Sequence, residues 1–302
     1  MKKEITTKKE AWLHAVRLRT LPLALASIFA GSFLAAWQDA FRWEILLLAA
    51  LTTIFLQILS NLSNDYGDTV HGADSAERTG PVRAVQSGMI SLPEMKRAMY
   101  LFGVLSLISG LLLVYLAVQD WRLFALFLGL GLAAIWAAIT YTSGSNPYGY
   151  AGLGDISVFV FFGLLGVLGT YFLHTLSFEP LTIAIAVALG LFSTAVLNIN
   201  NIRDIESDEK AGKRSIPVRI GRKAAVQYNW ALLIGGYACL SVFVLLSGKL
   251  FALATFLALP IMLQVGFGVQ RAASSAETDP FLKKMALSTL LWVLLFGLGL
   301  LF

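Results

Sequence analysis

Nine apolar runs, each near the roughly 20 residues that cross a bilayer, leave this chain few ways to fold. Windows of that length place them at about 17–38, 43–64, 97–118, 122–142, 154–174, 181–202, 227–247, 250–270 and 283–302. Only 14% of the 302 residues are charged and 57% are hydrophobic, against about 25% charged in an ordinary soluble domain. Backbone polar groups in lipid must be satisfied within the protein, and runs this long do so as helices. The expected fold is an all-α integral membrane protein of nine transmembrane helices, one domain over 1–302.

Short turns such as 38–42 and 119–122 join the helices on one side, and longer segments, about 65–96 and 203–226, lie on the other with 143–153 and 271–282. With the N-terminus in the cytoplasm, all 23 Lys and Arg except Arg42, Arg122 and Lys249 fall on the cytoplasmic side. The positive-inside rule then sets the orientation, with an external C-terminus. The net charge of +5 reflects these loops, and no Arg/aromatic pattern of a nucleic-acid module accompanies it. Cys239 is the single cysteine and excludes a disulfide framework within the chain. The basic stretch from Met1 to Trp12 lacks a short apolar region with a small-residue cleavage site and is not read as a signal peptide.

Two acidic clusters stand where apolar runs meet the long loops: Asn61-Leu-Ser-Asn64-Asp65-Tyr-Gly-Asp68 and Asn200-Asn201-Ile-Arg-Asp204-Ile-Glu-Ser-Asp208. They follow the second and sixth helices, comparable positions in a weak internal repeat. Asn61, Asp65 and Asp68 are spaced i, i+4, i+7, and Asn200, Asp204 and Asp208 i, i+4, i+8, so each set shares a face if its helix continues. Polar residues often end helices simply to meet water. Here, however, the carboxylates stand at helix C-termini, where the macrodipole disfavours each by about 0.3–1 kcal/mol, and they repel one another. A hard cation held by oxygen ligands removes both penalties, and Mg²⁺ suits a site of one or two carboxylates completed by phosphate and water.

Basic residues follow both clusters. Arg78 and Arg83 come after the first and Lys213 after the second, as a metal-bridged diphosphate requires. Lys96, Arg97, Arg222 and Lys223 read as ordinary positive-inside residues.

Four motifs now carry a resemblance: Asn64-Asp65-Tyr-Gly-Asp68, Arg78-Thr-Gly-Pro-Val-Arg83-Ala-Val-Gln-Ser-Gly, Tyr150-Ala-Gly-Leu-Gly-Asp155, and Asn200-Asn-Ile-Arg-Asp204-Ile-Glu-Ser-Asp208-Glu-Lys-Ala-Gly-Lys213-Arg. With the nine spans they resemble the UbiA superfamily of intramembrane aromatic prenyltransferases, and within it the branch acting on 1,4-dihydroxy-2-naphthoate. The resemblance implies nine helices around a central cavity, two cytoplasmic cap loops, and a side open to membrane lipids. It implies a polyprenyl diphosphate donor, 1,4-dihydroxy-2-naphthoate as acceptor, and loss of CO₂ to give demethylmenaquinol. It assigns one Mg²⁺ to Asp65 and Asp68 with Asn61 or Asn64, and a second to Asp204 and Asp208 with Asn200 or Asn201.

Two departures from the superfamily pattern stand out. Asp74 comes six residues after Asp68 rather than four. The loop Tyr141-Thr-Ser-Gly-Ser-Asn146-Pro-Tyr148-Gly-Tyr150 lacks the basic residue often found there, leaving hydroxyls or Asn146 for contact.

Chemically, the expectation is ionisation of an allylic C–O bond followed by attack from an electron-rich ring. Arg78, Arg83, Lys213 and the metals stabilise the departing diphosphate. Tyr141, Tyr148 or Tyr150 could face the allylic cation, at about 0.5–2 kcal/mol each, although tyrosines are also common at membrane interfaces. His71, between Asp68 and Asp74, is most simply a solvated loop histidine that could move a proton. His14 and His174 read as interfacial. Asp155 is either a helix N-cap or a cavity residue. A 4-hydroxybenzoate prenyltransferase of the same superfamily is the nearest alternative. A multi-helix transporter is the other, but its coupling sites would sit near mid-membrane, where these spans carry almost no charge.

Overall fold

The computed structural model describes residues 7–72 and 83–301. Arg78 and Asp74 therefore lie outside the described residues. Among those residues nine helices are long and apolar enough to cross a membrane. The chain runs α1 (Lys8–Val16), α2 (Leu21–Trp37), α3 (Trp43–Val70), α4 (Leu92–Ala117), α5 (Trp121–Thr140), α6 (Gly154–Thr175), α7 (Thr182–Arg203), a short α8 (Ile205–Lys210), α9 (Ile216–Ser247), α10 (Leu250–Arg271) and α11 (Ser275–Leu301). Left-handed backbone at Arg17 (φ 51°) separates α1 from the first crossing, which restarts through a 3₁₀ turn.

Every expected span is present, but several helices run further toward the polar end than hydropathy shows. Helix α3 continues to Val70 rather than stopping near 64. Helix α4 starts at Leu92, where Ser91 and Glu94 form a reciprocal capping box. Helix α9 starts at Ile216, bends at Gly221 (φ 77°), and only then enters its apolar stretch. These extensions carry polar side chains on a helical backbone, so windows that sum hydrophobicity end too early. The expected cap loops, 65–96 and 203–226, are accordingly part helix.

Helix α7 is the most buried crossing. Its sequence places Ala186, Ala188, Gly190, Ser193, Thr194 and Ala195 toward its neighbours, and such small residues let helices approach closely where lipid provides no hydrophobic drive between them. The main core joins α2, α6, α7, α9 and α11 around Phe192, Phe243, Trp292 and Phe296. Helix α6 carries an eleven-residue π-helical stretch, Phe159–Gly169. The wider π turn re-aims its side chains, and the Ser27 hydroxyl of α2 donates to the carbonyl of Phe162 (2.5 Å). Gly163 in that stretch lies against Gly190 of α7, where any Cβ would meet the Gly190 Cα and the Ala186 carbonyl oxygen.

Gly163→Leu should therefore destabilise the protein by about 1–3 kcal/mol through overpacking. Gly129→Ala, where a Cβ meets nothing within 4 Å, should leave stability unchanged or slightly raised. Thermal unfolding in detergent distinguishes the two, and equal shifts would contradict this packing.

Candidate active site

A cavity of about 720 Å³ opens among α2, α3, α4, α5, α6 and α7. Its polar end is lined by Asn64, Asp65, Asp68, Arg83, Asp208 and Lys213, and most of its length by apolar side chains such as Leu56, Leu111, Phe127, Phe161 and Leu165. The two acidic clusters, far apart in sequence, thus face one space.

The helical continuation of α3 places Asn61, Asp65 and Asp68 along one face, as their spacing anticipates. Asp65 and Asp68 are 2% and 4% exposed. The turn at 83–87 covers them. Arg83 forms an ion pair with Asp68, and its other terminal nitrogen donates to the Asn64 carbonyl (2.8 Å). The Ala84 N–H donates to Asp65 Oδ2 (3.2 Å). From the segment after α5, the Tyr150 hydroxyl donates to Asp68 Oδ1 (2.8 Å), and the Thr142 hydroxyl to Asn64 Oδ1 (3.1 Å). Asn61 differs from its expected role. Its amide donates to the Val16 carbonyl and to Thr20 Oγ1 (both 2.9 Å), and its oxygen accepts from Gln57. It ties the α1–α2 junction to α3.

The second cluster does not continue one helix. Helix α7 ends at Arg203, Asp204 is non-helical (φ −100°, ψ 10°), and α8 starts afresh. Asp204 is gripped by its neighbour: Arg203 Nε donates to Oδ1 (2.8 Å) and Nη2 to Oδ2 (2.6 Å). The same guanidinium reaches Asp279 of α11 (2.6 Å) and Asn200 Oδ1 (3.0 Å). Asp208 faces Lys213 at 3.4 Å. Burial raises the Asp208 carboxyl, and the Lys213 ammonium only partly offsets this. Burial would likewise push Lys213 down, but the carboxylates of Asp208 and Asp68 outweigh it and hold the ammonium above the ordinary lysine range. One lysine thus senses acids of both clusters, and its Nζ lies 6.0 Å from the Tyr150 ring.

Three expected contacts lie outside the main cavity. Tyr150 approaches the acids from behind through Asp68. Asn201 and Asp155 face a small polar recess with Tyr141, Lys213 and Ser215. The N-cap position of α6 belongs to Leu153, so of the two alternatives for Asp155 the structure keeps a cavity residue, at this recess, and not a helix cap. Tyr141 and Tyr148 do line the cavity, and burial pushes the Tyr141 phenol up to about 12. Asn146 is exposed. His71 is exposed beside the Tyr150 ring (5.5 Å). His14 sits exposed at the cavity margin, while His174 stands at the other end of the bundle, in the last turn of α6 as expected of a span end, buried against the turn at 38–42.

Nothing in the sequence singles out Arg203, Asp279 or Thr142. Arg203 was visible inside the second motif, directly before Asp204, but its partner choice depends on α11. Thr142 carries no local signal.

Two carboxylate oxygens aimed into this region, Asp65 Oδ1 and Asp208 Oδ2, are buried without a hydrogen-bond partner. Such oxygens fit a hard cation. Among the described residues no three His, Cys, Asp or Glu side chains gather at one point, so an ion there would complete its shell from asparagine, water or substrate, as Mg²⁺ commonly does.

A model of the UbiA prenyltransferase family matches residues 24–301. The chain belongs to this family. It is similar to the 1,4-dihydroxy-2-naphthoate octaprenyltransferase of Escherichia coli (strain K12), 46% identical over 99% of this chain and 97% of that one. The protein of the same description from Mycobacterium tuberculosis (strain H37Rv) is 36% identical over 94% of each. Among solved structures, a UbiA homolog from Archaeoglobus fulgidus bound to GPP and Mg²⁺ shares the fold, with a TM-score of 0.66 at 17% identity over 96% of this chain and 99% of that one.

Arg203→Ala would remove the buried guanidinium that Asp204 and Asp279 share and should cost about 3–5 kcal/mol. Arg214→Ala, at an exposed position in the next loop, should change stability by no more than about 0.5 kcal/mol. Unfolding of both variants in detergent checks this, and a tolerant Arg203→Ala would contradict the described network.

Proposed function

We propose that this family member transfers a polyprenyl chain from a polyprenyl diphosphate to 1,4-dihydroxy-2-naphthoate, with loss of CO₂, giving demethylmenaquinol. The observation that carries the reading is the meeting of both acidic clusters at the polar end of one otherwise apolar cavity. The substrates come from the relatives named for that naphthoate reaction at 46% and 36% identity, and they favour it over 4-hydroxybenzoate.

In this reading Asp65 and Asp68 with Asn64, and Asp204 and Asp208 with Asn200, would hold divalent metal beside the diphosphate. Bound Mg²⁺ supplies electrostatic neutralisation of the diphosphate oxygens. The GPP and Mg²⁺ bound by the Archaeoglobus homolog support that choice of ion. Arg83 and Lys213, already at the carboxylates, bind the remaining negative charge, together with Arg78.

The allylic C–O bond then breaks and the diphosphate leaves with the bonding electrons, where Arg83 and Lys213 meet the developing charge. Tyr141 and Tyr148 present aromatic faces to the allylic cation. Tyr150 positions Asp68, and Asp155 acts through the recess behind Tyr141. The acceptor ring forms the new C–C bond and its carboxylate leaves as CO₂. The apolar wall encloses the tail and keeps water from the cation. With the basic loops on the cytoplasmic side, the polar end faces the cytoplasm and the C-terminus lies outside.

Membranes containing the protein, given Mg²⁺, a polyprenyl diphosphate and labelled 1,4-dihydroxy-2-naphthoate, should form prenylated naphthoquinol. Chelation by EDTA should abolish the product and added Mg²⁺ restore it. Asp65→Ala or Asp208→Ala should lower kcat at least about a hundredfold with the protein still in the membrane. Exclusive prenylation of 4-hydroxybenzoate would refute the acceptor, and full activity in either variant would refute the site.

A further inference from the structure

One guanidinium holds three of the oxygens around the second acidic cluster. Arg203 is the last residue of α7, and its buried side chain lines the cavity. Its Nε and Nη2 cover both oxygens of Asp204 (2.8 and 2.6 Å), and Nη2 also reaches Asn200 Oδ1 (3.0 Å). Asp204 and Asn200 are groups assigned above to the second metal, whereas Asp208 beside them keeps Oδ2 without a hydrogen-bond partner. A planar fork grips a carboxylate at two points. A divalent cation on those same oxygens would therefore meet a positive charge already at hydrogen-bond distance from its ligands.

The remaining nitrogen of the fork points out of the site. Arg203 Nη1 donates to Asp279 Oδ1 (2.6 Å), and Asp279, on α11, does not line the cavity. Asp279 Oδ2 faces Arg19 Nη1 at 3.9 Å, beyond hydrogen-bond reach, so it can accept a second guanidinium nitrogen. A separate bond fixes where Asp279 stands. The Ser275 hydroxyl, one turn earlier in α11, donates to the Arg203 carbonyl (2.6 Å) and joins the start of α11 to the end of α7. Arg203 is thus shared between a carboxylate inside the metal site and one outside it.

We propose that Asp279 is a positioning residue for the second metal site: by drawing Arg203, it sets how far Asp204 and Asn200 are free to hold the ion. The proposal rests on the metal reading above. Two carboxylates compete for one side chain. Drawn to Asp279, the guanidinium uncovers Asp204 and Asn200 and still keeps a counter-charge, without which a buried cation is strongly disfavoured. Deprived of the Asp279 charge, it has only Asp204 to hold, and the second site weakens. The first site, at Asp65 and Asp68, has its own cation in Arg83 and does not share in this competition.

The test titrates Mn²⁺ into purified protein in nanodiscs with geranyl diphosphate and no acceptor, reading unbound Mn²⁺ by electron paramagnetic resonance. Asp65→Asn and Asp204→Asn identify the two sites by which one each variant loses. Asp279→Asn should raise the Kd of the Asp204 site at least about tenfold and that of the Asp65 site by less than about twofold. Asp279→Glu keeps the charge and should return the Asp204 site to within about threefold of wild type. Arg203→Lys should tighten the Asp204 site at least about fivefold, because an ammonium cannot fork across Asp204 and reach Asn200 together. That variant keeps the proposal testable should Asp279→Asn fail to fold by thermal melt. Equal effects on both sites, or an Asp204 site unchanged in Asp279→Asn or not tightened in Arg203→Lys, would overturn the proposal. Wild-type protein that takes up no Mn²⁺ would instead refute the metal reading, and the role of Asp279 with it.

Discussion

Four carboxylates buried at the polar end of the cavity are the constraint on which the rest of the structure depends. Asp65, Asp68 and Asp204 stand at the C-terminal ends of membrane helices, where the dipole is unfavourable, Asp208 follows in the short α8, and all four are buried. An unpaired buried charge costs several kcal/mol. The chain answers by bringing cations and hydroxyls in from elsewhere. Arg83 and Tyr150 fold onto Asp68, Arg203 forks onto Asp204, and Lys213 faces Asp208. The loops cap the cavity because they carry the groups that make these acids tolerable. Compensation stops short of complete, leaving Asp65 Oδ1 and Asp208 Oδ2 unpartnered, and that remainder is where a divalent cation fits.

The transmembrane body has a different task. Small residues on α7 and the π stretch of α6 draw α2, α6, α7, α9 and α11 into a dense half. Helices α3, α4 and α5 build a looser wall, with α5 the least buried crossing. The cavity lies between these halves, polar at one end and apolar along the rest. An amphiphile with a highly charged head and a long apolar tail matches that gradient in polarity.

Much of this was legible in the sequence, for identifiable reasons. Nine spans follow from run length, since lipid admits few alternatives to a helix. The Asn61, Asp65 and Asp68 spacing was correct because α3 does continue past the apolar run. The same logic misled at Asn200, Asp204 and Asp208, where the helix breaks at Asp204. Span ends were short at α3, α4, α9 and α11 because polar helical turns carry no hydropathy signal. Partner choice was not legible. Arg203 stands beside Asp204 in the motif, yet its bond to Asp279 depends on where α11 lands, and Tyr150 reaches Asp68 across 82 positions of chain. Asp155 could be read as a cap or as a cavity residue, and only the fold places it in the recess beside Tyr141.

The central claim is that these two clusters, incompletely neutralised by the protein itself, accept a diphosphate only with divalent metal. Electron paramagnetic resonance with Mn²⁺ in place of Mg²⁺ tests it without turnover. In the presence of geranyl diphosphate and no acceptor, the account predicts two Mn²⁺ bound per chain with a spin-coupled signal, and loss of that signal in Asp65→Asn. Donor binding with no Mn²⁺ taken up would contradict it.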